Sequence, residues 1–219
     1  AAVAAEHARV TSALATPDRT ERLTRVPDAR ISTLTVVLES PYDPHNGAAV
    51  VRSCDAFGIQ TLHVVERERP FLAARQVARG SEQWVDVVAH ADGPAVADAL
   101  AAEGFVLCAT HPEGEATIGE LAGLPKLAIV LGNEHRGIEP DLAERCQRRV
   151  RIPMRGFAES LNVSVSAAIL LSRLTEGRTG DLSEEHKRRL LLRALVLTLP
   201  HASELLWARG LRDLPSVPG

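Results

Sequence analysis

The sequence predicts an α/β domain whose mainly parallel sheet is covered by helices on both faces. Three observations carry this reading. Short β-branched runs alternate with helix-like segments between Leu34 and Ile152. Two of those segments stop at Gly58 and Gly104, glycines suited to the left-handed residue that follows a helix. The 219-residue chain is 45% hydrophobic and 24% charged, which fits a globular fold and excludes collagen-like, low-complexity and wholly disordered classes.

The elements follow in order. Residues 1–30 hold an alanine-rich helical stretch, after which Thr16-Pro17-Asp18 and Val26-Pro27-Asp28 read as turns around a second short helix; together they make an N-terminal arm. Strands are expected over Thr35–Leu38, Thr61–Val65, Trp84–Val88, Phe105–Ala109, Leu127–Leu131 and Val150–Ile152. Helices are expected near Gly47–Phe57, Pro94–Glu103 and Pro140–Arg148, with Phe71–Arg79 a further candidate. Ser160–Leu174 is apolar nearly all round, the pattern of a buried helix. Glu176 to Gly180 breaks that pattern, Ser183–Leu199 reads as an amphipathic helix ending at Pro200, and a short helix over Ser203–Arg209 precedes a Pro/Gly-rich tail. The chain thus divides into an arm over 1–30, a sheet domain over 31–178 and a helical extension over 179–219.

Composition narrows the function classes. The apolar run from Leu190 to Leu199 is broken by Arg193 and falls short of the roughly 20 residues that a membrane span needs. The N-terminal residues show no charged-then-apolar leader pattern, and the three cysteines, Cys54, Cys108 and Cys146, stand far apart without metal-ligand spacing. A cytoplasmic protein with reduced thiols and no metal is the expectation. Net charge is −3, yet five arginines and no acid lie between Arg145 and Arg155, and Lys187, Arg188, Arg189 and Arg193 form a second basic run. Such runs are either solvated faces or phosphate contacts.

Ligands of parallel sheets bind beyond the carboxyl ends of strands, which directs attention to the residues after Leu38, Ala109, Leu131 and Ile152. In Pro44-His45-Asn46-Gly47, Asn46 is placed as an N-cap. Arg52 lies about 9 Å further along the helix, where its side chain either leans back over the loop or pairs with Asp55. In Leu131-Gly132-Asn133-Glu134-His135-Arg136-Gly137, two glycines bracket polar residues, the pattern of a backbone that approaches a ligand closely, with Glu134 as an acceptor; a plain turn has the same letters. After Ile152, Ser160 is placed as the cap of the buried helix and Asn162 in its first turn.

Taken together in this order, Asn46 with Arg52, LGNEHRG at 131–137 and IPMRGFAESLNVSVSAA at 152–168 resemble the SpoU (TrmH) family of knotted RNA 2′-O-methyltransferases. GSEQW at 80–84 points to the members that act on guanosine 18 of the tRNA D-loop, and the likeness spans roughly Thr33 to Glu176. The resemblance implies a C-terminal trefoil knot in the sheet domain, flanking helical arms, S-adenosylmethionine as methyl donor, no metal, a homodimer and tRNA as partner. It implies catalytic roles for Asn46, Arg52, Glu134, Ser160 and Asn162, and a donor pocket of Thr110, Leu131, Gly132, Ile152, Met154, Ser160 and Leu161. RNA contacts would fall to Arg9, Arg19, His45, Arg188 and Arg189. Arg52 is the family's proposed base, although a guanidinium is ordinarily protonated, so orienting the 2′-hydroxyl through the adjacent phosphate ranks ahead of proton abstraction. Ribosomal RNA is the alternative substrate, and a noncatalytic RNA-binding protein of the same fold the alternative class.

Overall fold

A computed structural model describes residues 17–67, 71 and 80–198. The expected alanine-rich helix, the helix over Phe71–Arg79 beyond Phe71, the helix over Ser203–Arg209, the tail and Arg9 lie outside the described residues. The chain forms two compact units, one spanning 31–178 and one made from the segments on either side of it.

In the larger unit six parallel strands stand in the order β3-β2-β1-β5-β4-β6: β1 is Leu34–Glu39, β2 Thr61–Val65, β3 Asp86–His90, β4 Val106–Thr110, β5 Leu127–Leu131 and β6 Arg148–Val150. Strand order reverses between β1 and β5, and Leu38 pairs with Leu131 there. The ends of these two strands therefore open the crevice where such sheets bind ligands. Every residue of β1 and of β5 is buried, as expected of parallel strands covered on both faces. Alternate side chains go to opposite layers. Val36, Leu38, Ile129 and Leu131 pack with Val50, Val51, Leu170 and Leu171 on one face, while Val37, Ala128 and Val130 pack with Val96, Leu100 and Leu142 on the other. Each buried aliphatic side chain of this kind contributes roughly 1.5–3 kcal/mol.

Helix α1 is Pro17–Ala29, α2 Pro44–Ala56, α3 Gly93–Ala102, α4 Ile118–Ala122, α5 Pro140–Ala143, α6 Val163–Leu174 and α7 Glu184–Thr198. Gly58 and Gly104 adopt φ of 76° and 84°, the conformation for which glycine was assigned after α2 and α3. Several expected boundaries are corrected. The edge strands β3 and β6 sit two residues away from their expected spans because register comes from the neighbour: Thr61 pairs with Asp86 and Cys108 with Arg148. Helix α5 ends after one turn, since Gln147 N–H already donates to the Leu107 carbonyl of β4 and Arg148 opens β6. Val26-Pro27-Asp28 is no turn, for Pro27 lies inside the last turn of α1. Helix α4 was not expected at all, although Thr117 and Glu120 form a reciprocal capping box whose T-x-x-E spacing is visible in the letters.

Helix α6 is not buried all round. Val163, Ala167, Leu170, Leu171 and Leu174 form one buried stripe, while Val165 is 45% exposed. At its C-terminal end the Arg178 guanidinium donates to the carbonyls of Leu174, Ala122 and Leu124, joining α6 to the end of α4. The loop after β4 lies directly on β6: His111 N–H donates to the Val150 carbonyl, and a Cβ on Gly114 would stand 2.5 Å from the Val150 carbonyl carbon. In the smaller unit α1 and α7 associate, with Lys187 paired to Asp28 at 2.9 Å and Leu190, Leu191 and Leu195 buried.

Candidate active site

At the carboxyl ends of β1, β4, β5 and β6 lies a cleft of about 1550 Å³. All seven residues assigned to the donor pocket line it: Thr110, Leu131, Gly132, Ile152, Met154, Ser160 and Leu161. Asn46, Glu134 and Asn162 line it as well.

These last three form one hydrogen-bonded chain with Asn46 at its centre, although 116 residues separate Asn46 on α2 from Asn162 at the start of α6. The Glu134 carboxylate accepts from the Tyr42 N–H at 2.9 Å and from the Asn46 amide at 2.7 Å. The Asn46 carbonyl oxygen then accepts from the Asn162 amide at 2.9 Å, and the Asn162 oxygen accepts from the Ser164 N–H at 2.8 Å and its hydroxyl at 2.6 Å. An ionised carboxylate only accepts, so Glu134 dictates the orientation of both amides and leaves their remaining N–H groups as donors. Burial alone would raise the Glu134 carboxyl, but the hydrogen bonds from Tyr42 and Asn46 outweigh it and hold the group below the usual carboxylate range. Glu134 is therefore a fixed anion at neutral pH, suited to orienting its neighbours rather than to taking up a proton.

The caps differ from expectation in a way that serves this chain of bonds. Asp43, with its side chain accepting from His45 N–H at 2.8 Å, caps α2, and Pro44 takes the first helical position. Asn46 is released from capping and sits in the first turn. At α6 the cap is Asn162, not Ser160. Ser160 is an exposed residue of the preceding loop.

Within the loop after β5, Gly132 is required by close approach: a Cβ there would lie 2.7 Å from the Ile138 nitrogen. The Asn133 side chain accepts from His135 N–H at 2.8 Å and donates to the Ser40 carbonyl. Ser40 has φ of 38°, left-handed backbone that a serine adopts only where its surroundings impose it. Sequence reading missed Asn133, Ser40, Tyr42 and Ser164. The only signal available was Asn133 between a glycine and Glu134, two residues before the N–H that it binds.

Arg52 is not brought to this cleft. It is exposed on α2, does not line the cleft, and has no ion-pair partner among the described residues, Asp55 included. His45 is likewise exposed and outside the lining. Arg19 lies on α1. Arg188 is exposed, whereas Arg189 pairs with Glu185 at 2.7 Å on the same face of α7. Burial pushes the Cys108 thiol up to about 12 and the Cys146 thiol up to about 11, so neither supplies a thiolate at neutral pH.

Comparison with known proteins places this architecture. Residues 33–172 match the model of the SpoU rRNA Methylase family. The tRNA (guanosine(18)-2′-O)-methyltransferase of Escherichia coli K12 is 34% identical over 157 residues, 71% of this chain and 68% of that one. The crystal structure of the A. aeolicus TrmH/SpoU tRNA modifying enzyme aligns with a TM-score of 0.73 at 28% identity, covering 84% of this chain and 98% of that one. The SpoU methyltransferase AviRb of Streptomyces viridochromogenes, solved in complex with the cofactor AdoMet, aligns with a TM-score of 0.58 at 25% identity over 67% of this chain and 58% of that one. With the family's model matched from the start of the sheet into the last turn of α6, and the motif residues Asn46, Glu134 and Asn162 converging on one cleft, the chain belongs to the SpoU methylase family.

Proposed function

We propose that the protein transfers a methyl group from S-adenosylmethionine to the 2′-oxygen of guanosine 18 in the tRNA D-loop. The observation that carries this reading is the Glu134–Asn46–Asn162 chain, held from behind by Ser164, which lines the same cleft as the apolar residues Leu131, Ile152 and Leu161. Oriented amide donors beside an apolar recess suit a polar ribose next to a largely apolar donor.

The cleft fits the donor. Glycine at 132 keeps the loop after β5 folded tightly back on Ile138, and Ile152 and Leu161 give apolar contact, so Thr110, Leu131, Gly132, Ile152, Met154, Ser160 and Leu161 would hold it. Bound there, S-adenosylmethionine supplies an electrophilic methyl group and needs neither metal nor thiolate. The chain's own residues do the rest. Asn46 and Asn162 present N–H donors to ribose or phosphate oxygens, and Glu134 keeps both amides turned that way. Arg52, exposed and without a carboxylate partner among the described residues, is available to a phosphate next to the reacting ribose and orients the 2′-hydroxyl; proton abstraction is its second role.

The finer expectations belong to the same proposal. The loop after β4 and the segment after β6 form the trefoil knot, a rare departure from unknotted chains, and their direct backbone contact at Gly114 supports it. A second copy of the chain covers the segment after β6 and Val165, and brings its own Arg52 to the site; the wholly exposed Phe157 supports such a partner. The arms, with Arg9, Arg19, Arg188 and Arg189, grip tRNA, and the enzyme works in the cytoplasm. Ribosomal RNA stays as the second substrate because the matched family is described by rRNA methylation.

The test is methylation of an unmodified tRNA transcript with labelled donor, mapped by mass spectrometry. The expected product is 2′-O-methylguanosine at position 18. Methylation of ribosomal fragments alone would favour the alternative, and donor-free RNA binding without turnover would indicate a noncatalytic protein. Arg52→Ala should abolish transfer while leaving donor binding within about two-fold, because Arg52 stands outside the cleft lining. Substantial residual turnover would remove both roles from this side chain.

A further inference from the structure

Beside the cleft lies a buried ionic cluster that the proposed reaction does not use. Glu39, the last residue of β1, has a side chain only 1% exposed. One of its oxygens accepts from Arg67 Nε at 2.8 Å and stands 2.7 Å from Arg67 Nη2; the other accepts from the Glu139 N–H at 3.0 Å. Arg67 continues to the Asp141 carboxylate in the first turn of α5. Room for this arrangement comes from Gly93, where a Cβ would stand 2.9 Å from the Asp141 oxygen and 3.1 Å from Arg67 Nη2.

A buried carboxylate is costly unless it is paired and its remaining oxygens are hydrogen-bonded. Burial raises the Glu39 carboxyl, and the Arg67 guanidinium and Glu139 N–H oppose that rise. Asp141 and Glu39 together hold Arg67 more firmly protonated. On balance burial prevails and the Glu39 carboxyl lies above the usual carboxylate range, while the Arg67 fork holds it in place; the position of the pair explains what it is for. Glu139 closes the loop that begins at Gly132 and carries Glu134. That loop is held from one side at two adjacent residues: Glu39 binds its end, and the Ser40 carbonyl binds its start through Asn133. Ser40 is the left-handed residue noted above, so the corner between β1 and α2 takes a strained conformation that these bonds hold in place.

We infer that Glu39, with Arg67 as its counterion, is a positioning residue for methyl transfer: it sets where the 132–139 loop stands, and through it the Glu134 carboxylate that orients Asn46 and Asn162. The inference rests on the methyltransferase reading given above for its effect on rate, but not for its effect on the loop. Gln at position 39 cannot replace Glu, because whichever way the amide faces it meets either the guanidinium or the Glu139 N–H with its own N–H groups. Lys at position 67 keeps the charge and loses the fork that reaches two carboxylates.

The experiment measures two things in the full chain: the single-turnover rate of tRNA methylation at saturating donor, and amide hydrogen exchange across residues 132–139. Glu39→Gln and Arg67→Met should each lower the rate by about 10- to 100-fold and accelerate exchange in 132–139, while the amides of β2 stay protected. Arg67→Lys should fall between these and the parent. Asp98→Asn, which breaks the exposed pair with Arg145, should change neither reading. A parent-like rate and parent-like exchange in Glu39→Gln would overturn the inference, as would a lowered rate with unchanged loop exchange. If Glu39→Gln does not fold, Arg67→Lys decides by the same two readings. If the parent protein methylates no RNA, the functional reading fails on its own, and loop exchange still tests the positioning.

Discussion

Between the segments Glu39–Asn46 and Asn133–Glu139, which give Tyr42, Asn46, Asn133 and Glu134 to one wall of the cleft, hydrogen bonds cross at four points: Glu39 with Glu139, Ser40 with Asn133, and both Tyr42 and Asn46 with Glu134. Between Ile152 and Leu161, on the opposite wall, the chain makes no hydrogen bond to a described residue, and Phe157 is fully exposed. The first wall holds polar atoms where direction matters, and its order is internal. The second mixes apolar Ile152, Met154 and Leu161 with polar side chains and lacks such internal bonds among the described residues. Asn162 joins the two walls through its bond to Asn46.

The comparison breaks most visibly at Gly132. An added methyl group there meets the backbone of Gly137 and Ile138, neither of which is a flexible side-chain end. Gly132→Ala should cost about 3 kcal/mol by denaturant unfolding, the upper range for overpacking, and should abolish donor binding by calorimetry. An equally large loss from Gly156→Ala on the opposite wall, where a Cβ meets nothing, would contradict the contrast.

Acid should act on the molecule in two stages. His63, buried on β2 and hydrogen-bonded to His90 at 2.9 Å, is lowered to about 4 by burial first and by the neighbouring His90 second. The unfolded chain takes up a proton near 6.5 and the folded chain does not, so stability falls as pH drops from about 6.5 to 4, by about 3 kcal/mol. His63→Gln should flatten that slope in thermal melts. Glu134 has the opposite behaviour: its folded value lies below the unfolded one, so its contribution is complete at neutral pH and is lost only as pH falls through and below the usual carboxylate range. Exchange in 132–139 should therefore rise at lower pH than the histidine stage. Loosening of that loop already near pH 6 would trace to Glu39, whose carboxyl burial raises, and not to Glu134.

Smaller effects sharpen the picture. Neutralising Arg188 and Arg189 together should weaken tRNA binding and lower the slope of log K against log salt by about one to two units, without altering donor affinity. An unchanged slope would make α7 a packing element. Phe157→Ser should change monomer stability by less than about 0.5 kcal/mol, since the side chain is bare. In the proposed dimer it should shift the protein toward monomer by analytical ultracentrifugation.

Much of the frame was legible because it repeats a simple physical rule. Thr61–Val65 and Leu127–Leu131 were expected at the boundaries observed, being β-branched or aliphatic runs with their flanks set by turns. Edge strands were displaced because Arg148 and Asp86 owe their places to pairing with β4 and β2, not to their own letters. Caps were misplaced where two candidates stood close together. Asp43 and Asn46, or Ser160 and Asn162, are equally good by type; the bond to Asn162 shows that Asn46 is used elsewhere, while Asn162 both caps α6 and makes that bond. The residues assigned to the donor pocket met at the cleft, whereas Glu39 and Asn133 were invisible because their partners stand 100 and 93 residues away.

The most direct test of the central claim is a pair of tRNAs that differ by one oxygen, one with guanosine and the other with 2′-deoxyguanosine at position 18. The account predicts that both bind with similar affinity, that the first accepts one labelled methyl group at that ribose, and that the second accepts none. Equal methylation of the two would place the acceptor elsewhere and contradict it.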